Sequence, residues 1–125
     1  MERKMQKARI LKIPAEGAWE FTEVENDAEG HIPLKTMQTM VGGWIERWPL
    51  EGYGLDGLDL IIDEEGKLKR CPCNTVATIL AEIHRHGDCI VGDAFVCAND
   101  EDMFSVGFSS AQEAALRRRL AELGL

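Results

Sequence analysis

The sequence predicts an α+β domain: a small mixed, mainly antiparallel sheet with two or three helices packed on it. Three observations predict it. Short runs of residues alternate apolar with polar at the period of a strand, near the N-terminus and again in the middle of the chain. Other stretches repeat apolar residues at spacings of three and four, the period of a helix face. The chain has 125 residues, 45% of them hydrophobic, which suits one domain with one core. A single domain over residues 1–125 is therefore expected, with an α+β core over 8–104 and a C-terminal helix over 109–124.

The elements follow in order. Residues 8–15 (ARILKIPA) set Ile10 apart from Leu11 and Ile13 and meet a proline near their end, which suits an edge strand. Residues 19–24 (WEFTEV) place Trp19 and Phe21 on one face and Glu20, Thr22 and Val24 on the other, and the intervening AEGA joins the two runs as a hairpin. A polar loop occupies 25–31. Pro33 fixes φ for a first helical turn, and Leu34, Met37, Met40 and Val41 follow as an amphipathic face. Gly42 and Gly43 end that helix, the first in the left-handed conformation of a glycine cap. Residues 44–50 read as a strand with Trp44, Trp48 and Leu50 on one face and Ile45 and Arg47 on the other. The two tryptophans form either a core wall or a ligand platform.

Glycine-rich 51–57 leads into the apolar run 58–62, and DEEG turns the chain back into 67–70 (KLKR). That reads as a second hairpin burying Leu58, Leu60, Ile62 and Leu68. Asn74 caps a helix in which Val76, Ile79, Leu80 and Ile83 form the apolar stripe and which Gly87 ends. Residues 89–98 (CIVGDAFVCA) form a central strand whose glycine marks a close approach, followed by an acidic turn over 99–102. In the tail, Ser109 or Ser110 is the N-cap, Gln112 or Glu113 closes a capping box, and Leu116, Leu120 and Leu123 make a narrow stripe. Glu113 precedes Arg117 by four residues, so Arg117 to Arg119 read as a solvated face.

Charge and cysteine use narrow the function. A formal net charge of −8 argues against direct nucleic-acid binding, which depends on Lys and Arg displacing counterions from phosphates. Acidity instead keeps a chain soluble, repels nucleic acid or presents carboxylates to a basic protein. The N-terminal segment has no apolar run before a small-residue cleavage site, and no stretch reaches the roughly 18 apolar residues of a membrane helix. A cytoplasmic protein with reduced thiols is expected, its four cysteines acting as small buried hydrophobes.

Three stretches carry a family resemblance: MVGGWIERWPL at 40–50, LIIDEEGKLKRCPCN at 60–74 and CIVGDAFVCANDED at 89–102. In this order they resemble the family known as domain of unknown function 3846, small proteins of phages and conjugative elements. Its members show a VGGYIE-type segment, a CNEEGKL-type hairpin, a PxN element and an IVG-AF strand. The resemblance covers about Arg9 to Phe104 and leaves the Arg-rich terminal helix outside. The chain departs from the pattern at Cys71-Pro72-Cys73, where the family has an apolar segment with proline, and in a longer helix bearing histidines. The resemblance implies an accessory protein of a mobile element and no assigned activity.

Catalytic signatures are missing. There is no G-x-S-x-G elbow, P-loop or H-E-x-x-H, and the DEEG turn lacks the remaining ligands of a calcium loop. Cys71, Cys73, His84 and His86 are the right ligand types for zinc. Their C-x-C and H-x-H spacings are tighter than those that let side chains converge on a tetrahedral ion, and helix capping and packing account for the histidines. No cofactor is expected. The reading is a non-catalytic phage or mobile-element accessory protein that binds a host protein or assembles with itself, as a homodimer for example, and so modulates host functions or defence. The alternatives are a small-ligand binder that sequesters a nucleotide signal and a minor enzyme or zinc-binding role. In the nucleotide binder, Trp44, Trp48 and Tyr53 stack a base while Gly42 and Gly43, with Gly52 and Gly54, offer amides to phosphate.

Overall fold

The two apolar periods resolve into one antiparallel sheet with helices on both faces. A computed structural model describes residues 6–125, so the first five residues lie outside it. The strands are β1 (Lys7–Ile13), β2 (Glu20–Glu25), β3 (Ile45–Pro49), β4 (Leu58–Asp63), β5 (Ala94–Asn99) and β6 (Ser105–Val106). The helices are α1 (Leu34–Val41), α2 (Thr75–Leu80) and α3 (Ser110–Glu122), and a 3-10 turn spans Ile83–His86. The strand order is β2-β1-β5-β4-β3, with β6 pairing β5, and every pairing is antiparallel. This is the α+β architecture expected from the sequence.

One face is covered by α1, whose Met37 and Val41 pack with Ile10, Ile61 and Phe95. The other carries the larger core, where Leu11, Leu60 and Val96 meet Leu80, Leu116 and Leu120. β4 is buried at every position because it has a strand on each side and side chains packed on both faces, which is why LDLII reads as a continuous apolar run.

Several local signals hold. Gly42 caps α1 with φ 90°, Asn74 accepts the N–H of Ala77, and Ser109 and Gln112 form the reciprocal capping box of α3. Pro33, however, is the N-cap of α1 with an extended ψ of 142°, one residue before the first turn.

Other expectations are corrected. β1 is not an edge strand: it pairs with β2 on one side and β5 on the other, and Pro14 falls just past its end, where no ladder bond is needed. Residues 67–70 do not return as a strand, since β3 and β5 already fill both edges of β4; they form turns, and Leu68 is 82% exposed. The second helix stops at Leu80 because Glu82 enters the left-handed region at φ 60°, after which the 3-10 turn runs to a left-handed Gly87. Residues 89–93 are not strand. They zip instead onto 72–74, with Asn74 N donating to Ile90 O and Gly92 N to Pro72 O, each at 2.7 Å.

Candidate functional site around Trp48

β3 pairs with β4 alone, so it is an edge of the sheet. Glu46 lies opposite Ile62 and Trp48 opposite Leu60, which puts both side chains on the face that carries the larger core. Trp48 nonetheless keeps 36% of its surface exposed. Two clefts meet at this residue and share Ile83 and His86 as well.

The first cleft, about 340 Å³, has an apolar floor of Ile62, Ile83 and Ile90, with Trp48 and the exposed Leu68 also lining it. Its rim is acidic. Lys67 donates to Asp88 at 2.7 Å, and this bond, helped by the N–H of Cys89, holds the Asp88 carboxyl below its usual range. The buried Asp63 accepts from Lys69 at 2.9 Å, which raises the ammonium above its ordinary value. Glu46 and Glu64 form no ion pair among the described residues, so the uncompensated charge of this cleft is negative.

The second cleft, about 520 Å³, is lined by Trp48 and Tyr53 together with Glu82, Arg85 and Arg119. The nearly buried Arg119 stacks its guanidinium 3.5 Å from the Tyr53 ring centroid and lies 3.5 Å from Glu82 Oε1. Arg85 is 3.3 Å from the same carboxylate oxygen. Tyr53 (φ 56°) and Glu82 (φ 60°) are non-glycine residues in the left-handed region, a conformation costing about 1 kcal/mol or more that surrounding contacts must hold. Here Arg119 contacts both side chains, stacked on one and 3.5 Å from the carboxylate of the other.

The five ligand-site residues expected from the sequence separate into two places. Trp48 and Tyr53 share the second cleft. Gly42, Gly43 and Trp44 lie at the junction of α1 and β3, and Trp44, 62% exposed, lines neither cleft. The amides of Gly42 and Gly43 both donate to Gln38 O, at 2.8 and 3.1 Å, and are thereby committed to the helix cap. Gly42 O accepts from Lys69 Nζ at 2.9 Å. A Cβ on Gly43 would lie 3.0 Å from Asp63 Oδ1, so the second glycine admits the Lys69–Asp63 pair against the chain.

Cys73 is paired with Cys89, their Cα atoms 6.2 Å apart, while Cys71 is partly exposed and His84 and His86 are exposed. Among the described residues, no three His, Cys, Asp or Glu side chains are grouped to hold a metal ion. The expectation of four reduced, buried thiols is corrected: Cys73 and Cys89 are joined, and of the two free cysteines only Cys97 is buried, where desolvation pushes its thiol up to about 12. Sequence reasoning missed Leu68, Glu82 and Arg119 as lining residues. Leu68 carried only a weak signal, an aliphatic side chain flanked by Lys67 and Lys69; Arg119 was hidden inside a run of three arginines that read as a solvated face, which its burial corrects.

The three resemblance-bearing stretches converge here. Ten of the thirteen residues lining the first cleft belong to 40–50, 60–74 and 89–102; the others are Ile83, His86 and Asp88. Fold and site thus define a small antiparallel α+β domain with an open cleft walled by tryptophan and rimmed by carboxylates. The family model of the domain of unknown function DUF3846 matches residues 7–121, and the chain belongs to that family. The match runs past Phe104 through most of α3, which the resemblance had left outside. No curated protein and no solved structure matches the chain. Among the described residues, no helix is long and apolar enough to cross a membrane.

Proposed function

We propose that this is a non-catalytic accessory protein of a phage or mobile element, acting in the cytoplasm by binding a host protein or a second copy of itself and so modulating host functions. The observation that carries the reading is the open cleft at Trp48, where an exposed indole and the exposed Leu68 flank an apolar floor. Large apolar side chains left at the surface beside a pocket are what binding hot spots are made of, and tryptophan is among the residues most enriched there. Truncating such an anchor costs about 2 kcal/mol of binding or more. Affinity capture and light scattering test the reading: the wild-type protein is expected as a complex or dimer, and a lone monomer with no partner refutes it.

A second reading is supported by Trp48 and Tyr53 lining one cleft with Arg85 and Arg119, an aromatic and cationic setting suited to a nucleotide signal. It draws no phosphate contact from the amides of Gly42 and Gly43. A thermal-shift screen tests it: a nucleotide at 100 times its Kd stabilises by about 2.7 kcal/mol, and no shift with any nucleotide ends the reading.

A further inference from the structure

We infer that the partner segment is an extended peptide whose every second residue is in turn basic and large aliphatic, with small polar residues between, which adds as a strand to the outer edge of β3 and seats that mixed row of side chains against the first cleft. The inference rests on the protein-binding reading above and names the chemistry of the partner.

Leu50 N donates to Leu58 O and Glu64 N to Trp44 O, so residues 44, 46, 48 and 50 spend their ladder bonds on β4. By alternation, Ile45 and Arg47 direct their N–H and C=O outward, and Pro49 contributes a carbonyl only. No other group among the described residues bonds these outward atoms. The free edge is therefore short and ends at a proline, enough to receive one strand of a few residues.

The side chains then select the occupant. Residues of an added strand that share a face with Glu46 and Trp48 stand beside the first cleft. Its floor of Ile62, Ile83 and Ile90, with Trp48 and Leu68 alongside, accepts an aliphatic side chain. The carboxylates of Glu46 and Glu64 are exposed and unpaired among the described residues, and they select Lys or Arg. A net charge of −8 steers a basic segment in and repels an acidic one. A second copy is disfavoured on this edge: two acidic chains repel, and the two-fold register that uses all of β3 centres on Arg47 and sets it against its own mate.

The test uses fluorescence anisotropy with the full chain and a labelled peptide that carries lysine and isoleucine in turn at every second position, with threonine between them. Three control peptides replace lysine by glutamate, replace isoleucine by serine, or carry N-methyl groups on alternate amides. The basic aliphatic peptide is expected to bind at least tenfold more tightly than each control. The double substitution Glu46→Lys and Glu64→Lys, at exposed positions that keep the fold by circular dichroism, is expected to reverse the charge preference. Leu68→Ala is expected to weaken binding several-fold. Equal affinity for the lysine and glutamate peptides, or indifference to N-methylation, overturns the inference. A protein that captures a partner through Trp48 yet binds none of these peptides also overturns it and leaves the protein-binding reading standing.

Discussion

Asn74 ties together the segments that shape both clefts, and replacing it is the most informative perturbation of the scaffold. Its side chain is 1% exposed and makes three hydrogen bonds. Nδ2 donates to Ile13 O and to Gly92 O, each at 2.9 Å, and Oδ1 accepts from Ala77 N at 3.1 Å. One residue thus joins the end of β1, the start of α2 and the 89–92 segment that walls the first cleft. Asn74→Ala removes all three bonds, at about 1 kcal/mol net each, and strands partners that water cannot reach, which adds to the loss. The expected destabilisation is about 4 kcal/mol, a large share of the 5–15 kcal/mol typical of a domain. Urea unfolding followed by tryptophan fluorescence measures it. A loss near 1 kcal/mol would mean that Asn74 is only an N-cap and would refute the three-way tie. Asn74→Asp sharpens the test, because it keeps the cap acceptor but turns a carboxylate toward two carbonyls. Burial raises that carboxyl's folded pKa above its unfolded value, so the folded state binds the extra proton and stability falls as pH rises through the folded value. The Asp variant should therefore recover at acidic pH, and the Ala variant should not.

Three further predictions follow from the packing and charge. Leu116, fully buried on the inner face of α3, should cost about 3 kcal/mol as Leu116→Ala, whereas Leu68→Ala at the surface should stay within about 0.5 kcal/mol; chemical denaturation compares them. Cys97, buried and with its thiol pushed up to about 12, should resist iodoacetamide in the native protein while the partly exposed Cys71 reacts first, as peptide mass spectrometry would show. Arg9 donates to Glu113 at 2.8 Å and Arg117 donates at 2.9 Å, and these bonds hold the Glu113 carboxyl below its usual range. That stabilisation is complete above the ordinary glutamate value of about 4.3 and is lost as pH falls through the depressed one. Glu113→Gln should accordingly show a shallower loss of stability on acidification than wild type; an unchanged acid limb would contradict the pairing.

What was legible in the sequence is what neighbours in the chain decide. The Gly42 cap, the Ser109–Gln112 box and the Asn74 cap each use residues within four positions, and all three stand where the pattern put them. The misses depend on partners far along the chain. Whether 8–15 was an edge or 67–70 a strand turned on which strands flank β1 and β4, and alternation alone is silent on that. The break at Glu82 lies beside Arg119, which is distant in sequence and also stacks on Tyr53, and no local propensity announces such a contact. The site was half legible for the same reason. Trp48 was visible as an aromatic on one face of a strand, but its exposure follows from β3 being the last strand of the sheet. Gly42 and Gly43 read first as a helix stop and only alternatively as a phosphate cradle, and their amides are spent on the cap.

The central claim is that the surface around Trp48 binds another protein. The direct measurement compares wild type with Trp48→Ala in affinity capture from a bacterial lysate and in size-exclusion chromatography with light scattering. Because Trp48 is more than a third exposed, the substitution should leave the melting temperature within a few degrees. The account predicts that wild type elutes with a partner or as a dimer and that Trp48→Ala elutes as a bare monomer. Retention of the complex by the folded Trp48→Ala protein, or a wild-type protein that is monomeric and alone, would contradict it.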